Sequence, residues 1–180
     1  PPTHLTFDRF FYYCPNDGRY ELIHGEIVQM NATRNHHDIA NFILFAFHDE
    51  VRRLKLNYEV NNTAVIRTVD KDVWRSNRAA YAALREPIQL AVEVVSTNWD
   101  DDYLDKFDEY QRLGIAEYWI VDYLALGGRE FLGKPKQPTL SVCLRNEVGQ
   151  YQRTQFRGTD RIVSRTFPQL VLTAEQVLEA

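Results

Sequence analysis

Two residues sit where their side chains do not suit the surrounding pattern. Glu93 lies within Leu90-Ala91-Val92-Glu93-Val94-Val95, a nearly continuous apolar run of strand length. That is the pattern of a strand covered on both faces. A carboxylate buried there is costly unless it is paired, hydrogen-bonded or bound to a cation. Lys106 belongs to a helix predicted from Thr97 or Asn98 to about Leu113, where Gly114 is a natural stop. Advancing 100° per residue from Tyr103 puts Phe107 at about 40°, Tyr110 at about −20° and Leu113 at about −80°. Lys106 falls at about −60°, inside this apolar sector, while Asp101, Asp105, Asp108 and Glu109 fall between about 140° and 240°. An inward lysine has either snorkelled to the rim or paired with a buried acid. The strand of Glu93 runs directly into the helix of Lys106, so packing that helix back on the sheet brings carboxylate and ammonium together. This is the equipment of metal-assisted phosphodiester hydrolysis, in which carboxylates hold a divalent cation and lysine orients water or stabilises negative charge. Mg²⁺ suits such a site, needing only one or two carboxylates besides water and phosphate oxygens. The bland alternatives are a structural salt bridge for Glu93 and a snorkelling lysine.

The elements that must position this pair read as a mixed α/β domain spanning residues 1–180. Leu5 to Tyr13 reads as a short helix with Thr6 as its cap, ended by Cys14-Pro15. Asn16-Asp17-Gly18 is a turn, and strands Arg19 to Ile23 and Glu26 to Met30 meet at His24-Gly25 in a hairpin. Asn35 is placed to cap a helix from about His36 to Leu54, and Tyr58 to Arg67 reads as a strand broken at Asn61-Asn62. Trp74 to Leu84 reads as a short helix. Tyr118 to Val121 is a second buried strand, which makes a parallel pair with the strand of Glu93 through a right-handed crossover. Gly128 to Phe156 is strand-rich. A last helix begins at Thr173, with Gln176 completing a capping box.

Composition bounds the alternatives. The chain has 180 residues, 44% hydrophobic and 26% charged, with a formal net charge of −4. That fits one ordinary domain and excludes an overall electrostatic DNA binder, though not a local basic face. Two cysteines make neither a disulfide framework nor a zinc site and fit a reducing cytoplasm. No apolar run is long enough to span a membrane. Pro1-Pro2-Thr3 has no signal-peptide pattern and no initiator Met, so the chain reads as beginning inside a longer product. No phosphate-binding glycine loop and no nucleophile elbow occurs.

The order and spacing of several short elements carry a resemblance. They are Asp17-Gly18-Arg19-Tyr20-Glu21-Leu22-Ile23 with Gly25-Glu26-Ile27, Val92-Glu93-Val94-Val95-Ser96, Lys106, Glu109-Tyr110 and Gly114, Glu117-Tyr118-Trp119-Ile120-Val121-Asp122, and Phe167-Pro168. Over nearly its whole length the chain resembles the uncharacterised restriction-endonuclease-like group of the PD-(D/E)XK nuclease superfamily. The resemblance implies a restriction-endonuclease-like α/β core, a mixed sheet flanked by helices, and a Mg²⁺-dependent nuclease site where Mn²⁺ can substitute. Glu93 matches the second metal-binding carboxylate. The superfamily lysine normally follows two residues later, where Val95 stands; Lys106 matches its migrated position on the next helix. The first aspartate normally follows proline, and the chain has no Pro-Asp pair. Two readings stay open. Asp70 stands in as metal ligand or the site has decayed; or residues are missing between about Arg67 and Val69, which the match on both sides favours.

Glu21 matches a position near the site and is a candidate catalytic or metal ligand, with an exposed hairpin acid as its equal alternative. Glu26 reads as an ordinary hairpin acid. His36-His37 point about 100° apart on a helix, cannot clamp one metal, and read as surface residues. Asp122 is expected to bond loop amides, and Tyr118 and Trp119 to be core. Asp100-Asp101-Asp102 reads as acids complementing a helix dipole. From Trp99 to Tyr110 six acids and one lysine give −5; from Gly127 to Arg165 eight basic residues and three acids give +5. The second stretch suits a phosphate backbone, a solvated surface or a dimer interface.

The leading expectation is a Mg²⁺-dependent endonuclease acting on DNA, with Glu93, Lys106 and Glu21 catalytic and Glu93 and Asp70 on the metal. A homodimer is expected, since cutting two strands needs two sites. The alternatives are an inactive nuclease-fold protein that binds nucleic acid or a protein partner, and an oligomerisation domain in which Glu93 and Lys106 form only an ion pair.

Overall fold

The structure is a computed structural model that describes residues 4–15, 17, 20–23, 25–29, 33–61, 64–67 and 88–180, without the side chains of Phe7, Asp8, Phe11, Glu21 and Ile23. The chain falls into two units, Pro1–Arg34 and Asn35–Ala180. In the first, helix α1 (Phe7–Tyr13) precedes an antiparallel hairpin of β1 (Tyr20–Ile23) and β2 (Glu26–Gln29). The helix starts two residues later than its sequence suggests. The Leu5 amide instead donates to the Gly25 carbonyl at 2.7 Å, which commits Leu5 to the hairpin. Thr6 occupies the cap position in extended conformation, but its side chain makes no capping hydrogen bond.

Helix α2 (Arg34–Leu54) follows, and all of it but Arg34 belongs to the second unit. Asn35 is therefore inside the helix and is not its cap. Next come β3 (Tyr58–Asn61) and β4 (Ala64–Arg67), which pair antiparallel. The interrupted strand read from the sequence is thus a hairpin. Asn61 supplies the reason: its side-chain oxygen accepts the Ala64 N–H at 3.1 Å, a local bond that reverses the chain. Strand β5 (Leu90–Val94) leads through a π-helical turn, Asp101–Asp105, into α3 (Lys106–Leu113). Gly114 ends α3 with a left-handed φ of 80°, the conformation that favours glycine. Strand β6 (Glu117–Asp122) follows, then α4 (Arg129–Leu132), β7 (Thr139–Arg145), β8 (Tyr151–Phe156) and α5 (Ala174–Leu178). The capping box at Thr173 is present, with Thr173 and Gln176 each accepting the other's backbone N–H.

Among the described residues β3 to β8 form one six-stranded sheet in chain order, parallel at β5–β6 and antiparallel at its other pairings. The two-residue alternation of the strands divides its side chains between two cores. Leu90, Val92, Val94, Trp119 and Val121 pack with Ile39, Ile43 and Phe47 of α2 and with Ala174, Val177 and Leu178 of α5. Ala91, Val95, Tyr118, Ile120 and Cys143 pack with Tyr103 of the π-turn and Tyr110 of α3. Glu93 shares the strand parity of Ala91 and Val95, which puts its side chain on the α3 side. Trp74 to Leu84, Asp70 and the Thr68–Val69 junction lie outside the described residues.

Candidate functional site

Glu93 and Lys106 meet as their spacing predicts. Lys106 Nζ donates to Glu93 Oε2 at 3.0 Å, and each side chain is 18% exposed. The same Nζ donates to Asp102 Oδ1, also at 3.0 Å. The second carboxylate gives Asp102 a partner that its reading as one of three acids complementing a helix dipole does not provide. Asp100 is exposed, but Asp102 is only 4% exposed. Its position one turn before Lys106 puts both on one face of the helix, at about 40° separation on the 100° wheel. The π-turn is part of the placement. The Lys106 N–H reaches back to the Asp101 carbonyl, five residues earlier, so the helix widens where it presents Asp102. Turns of this kind are rare and occur frequently at functional sites.

Three tyrosines hold this arrangement. Tyr110, one turn beyond Lys106, donates to Glu93 Oε1 at 2.6 Å, so each oxygen of Glu93 has a partner. The sequence places Tyr110 on the apolar helix face and among the resemblance markers, without a role for its hydroxyl. Tyr118 donates to the Asp102 carbonyl at 2.8 Å. Tyr103 donates to Asp122 Oδ2 at 3.1 Å, and Asp122 also accepts the Leu126 and Gly127 amides at 2.8 Å each. Asp122 thus bonds loop amides as expected and anchors the π-turn besides. Gly127 is required by close approach, since a Cβ there would lie 2.8 Å from the Tyr103 ring. Burial raises the Tyr118 and Tyr103 hydroxyls above their ordinary range, which keeps both as proton donors.

Burial likewise pushes the Asp102 carboxyl up to about 7, opposed by the Lys106 charge and reinforced by that of Glu93. With both acids ionised, two carboxylates face one ammonium. The oxygen donors suit a hard divalent cation such as Mg²⁺, which needs one or two carboxylates and completes its shell with water and phosphate. Among the described residues no group of three or more His, Cys, Asp or Glu is arranged to hold a metal ion. Asp70 and the Glu21 side chain, the other expected ligands, lie outside the described part; Glu21 itself stands in β1 opposite Val28.

His36 is not the surface residue its place near a helix start suggests. It is half-buried, and its Nε2–H donates to the carbonyl of Val94, next to Glu93, at 2.9 Å. Burial holds its imidazole below the ordinary range, opposed by the bond to Val94. His36, Asn61 and Glu93 are among the residues lining a cavity of about 50 Å³, ample for a water molecule. Tyr118 and Trp119 are fully buried and belong to the core, not to a base-stacking surface. Glu26 is an exposed hairpin acid.

The basic stretch spends much of its hydrogen-bonding capacity within the protein. Arg157 donates to Thr139 Oγ1 and the Leu132 carbonyl, Arg161 twice to the Leu170 carbonyl, Arg165 to the Arg145 carbonyl and Lys136 to the Leu126 carbonyl. The Arg153 guanidinium lies 4.8 Å from the ring centroids of both Phe107 and Phe131. These contacts tie strands and loops together, as a structural role requires.

The model of a family described as Uma2, putative restriction endonuclease, matches residues 7–175. The chain belongs to the Uma2 family. The fold of this Uma2 protein is similar to a crystal structure from Anabaena variabilis ATCC 29413, described as a putative nuclease belonging to DUF820. The TM-score is 0.66 at 14% identity, covering 97% of this chain and 98% of the other. The mixed six-stranded sheet flanked by helices is therefore a restriction-endonuclease-like fold. No curated protein matches the chain. Among the described residues no helix is long and apolar enough to cross a membrane.

Proposed function

We propose that this Uma2 protein is a divalent-cation-dependent endonuclease that hydrolyses DNA phosphodiester bonds, with Mg²⁺ as the resident cation and Mn²⁺ able to substitute. The observation that carries the reading is the convergence of Glu93 and Asp102 on Lys106, on the crossover between the parallel strands. Glu93 and Asp102 would hold the cation, with Asp70 as a further ligand. When bound, the cation supplies Lewis-acid polarisation of the phosphate and activation of water. Lys106 orients the attacking water and stabilises the negative charge that grows on the phosphate oxygens. Tyr110 fixes the Glu93 carboxylate, and Tyr118 fixes the backbone that carries Asp102. Cutting both strands requires two such sites, so the reading includes a homodimer.

The engagement of both Glu93 oxygens, with no Pro-Asp pair in the chain, favours a second reading. In it the ion cluster is structural, and the protein binds nucleic acid or a protein partner without cutting. A cleavage assay with Mg²⁺ or Mn²⁺ on supercoiled, linear and single-stranded DNA separates the two. The nuclease reading requires cation-dependent cutting that Glu93→Ala and Lys106→Ala each abolish. Cutting that survives both substitutions defeats the site assignment, and salt-sensitive binding with no cutting supports the second reading.

A further inference from the structure

We propose that His36 is a positioning residue for Glu93: its ring holds the end of β5 and so fixes where the Glu93 carboxylate stands. The purpose of that placement rests on the reading of Glu93 as a cation ligand; the geometry does not. On the 100° wheel, with His36 at zero, Ile39 falls at about −60°, Ala40 at about 40°, Ile43 at about −20° and Phe47 at about 20°. His36 therefore opens the face by which α2 packs on the sheet, where Ile39, Ile43 and Phe47 are buried. His37 is turned away from the centre of that face by about 100°.

The partner of His36 explains a histidine on an apolar face. Its Nε2–H donates at 2.9 Å to the Val94 carbonyl, 58 residues away in sequence. The other end of that peptide unit, the Val95 N–H, donates to the Val121 carbonyl of β6 at 2.9 Å. One peptide plane next to Glu93 is thus held from two sides, by α2 and by β6. A peptide unit is planar and stiff, so holding both its ends leaves the adjoining residue little room to turn. Tyr110 meets Glu93 Oε1 at 2.6 Å and Lys106 meets Oε2 at 3.0 Å, and both bonds need the strand end to present the carboxylate at that height. The cavity of about 50 Å³ that His36 lines together with Val92, Glu93 and Val94 leaves space beside the strand end. Packing alone does not brace it there, and the hydrogen bond supplies the restraint. Groups that orient a metal ligand without touching the metal contribute about 10–100-fold to its affinity.

Variants of the full chain test this at pH 8. His36→Gln offers an amide N–H at a similar reach, and His36→Leu fills the space without a donor. His36→Asn, whose shorter amide falls short of Val94, takes the place of His36→Leu if that variant does not fold. The first readout is a double-mutant cycle with Tyr110→Phe by urea unfolding, which involves neither cation nor DNA. Tyr110→Phe is expected to lower the folding constant about tenfold in the wild type and in His36→Gln, but no more than about threefold in His36→Leu. An equal loss in every background overturns the inference. The second readout is calorimetric titration of the folded proteins with MgCl₂. His36→Leu is expected to bind Mg²⁺ about tenfold more weakly than the wild type, and His36→Gln to return to within about twofold of it. Wild-type affinity in His36→Leu, or the same loss in both variants, overturns it. Coupling without Mg²⁺ binding by any of the proteins retires the cation reading of Glu93 and keeps its positioning by His36; Mg²⁺ binding without coupling does the reverse.

Discussion

Replacing Asp122 by alanine removes the acceptor of three donors at once: the Leu126 and Gly127 amides at 2.8 Å and the Tyr103 hydroxyl at 3.1 Å. Asp122 is fully buried, so water does not take its place. Hydrogen bonds to a charged group contribute about 1.5–3 kcal/mol each. Taking the Gly127 and Tyr103 bonds at the low end, and half of that for the less buried Leu126 amide, gives a loss of about 4 kcal/mol. Against a typical total of about 5–15 kcal/mol this is large and readily measured by urea unfolding. Tyr103→Phe removes only the hydroxyl and is expected to cost about 1.5 kcal/mol. In the Asp122→Ala background that hydroxyl has already lost its acceptor, so Tyr103→Phe should cost nothing further. A double-mutant cycle then shows a coupling of about 1.5 kcal/mol. Additivity of the two substitutions within about 0.5 kcal/mol would refute the claim that Asp122 anchors the π-turn through Tyr103.

Other outcomes follow from the same surroundings. The Asp102 carboxyl, raised by burial to about 7, lies above its unfolded value of about 3.9. Its protonated form therefore favours the fold; that contribution is complete below about pH 4 and is lost as pH rises through about 7. The unfolding free energy of the wild type minus that of Asp102→Asn should fall between pH 4.5 and 8, and a flat difference contradicts the raised value. Cys143 is buried, with its thiol pushed up to about 11, so iodoacetamide at pH 8 should label the more accessible Cys14 first and Cys143 only after unfolding; equal rates by mass spectrometry count against this. Gly127→Ala drives a Cβ to 2.8 Å from the Tyr103 ring and should cost about 1–3 kcal/mol by urea unfolding, where a neutral result shows that the ring yields freely.

The pair at the centre of the site was legible because each member breaks a pattern. Glu93 interrupts an apolar strand, and Lys106 interrupts an apolar helix face. Asp102 was hidden because it breaks none: three acids opening a helix already have a sufficient explanation in the dipole. Its signal was its place four residues before an inward lysine. Tyr110 and Tyr118 were read as core, which they are, but a hydropathy pattern is blind to where a hydroxyl points. The hairpin after Tyr58 was missed because two four-residue strands and their turn read as one interrupted strand until the Asn61 bond is seen. For the basic stretch, charge counting gave the sign but not the internal carbonyls and rings on which the arginines settle. The sheet core, the parallel pair and both helix ends at Gly114 and Thr173 were readable because periodicity and capping are local properties.

The crossover between β5 and β6 has one more consequence. Glu93, Asp102, Lys106, Tyr110, Tyr118, Asp122 and Gly127 come from a single uninterrupted stretch of chain, and the ties among them close short loops. Short closures cost little chain entropy and form quickly. The ion cluster can therefore assemble as one folding unit, ahead of the wider sheet. A kinetic series of conservative substitutions along Glu93 to Gly127 would show it as shared, high φ-values across the stretch.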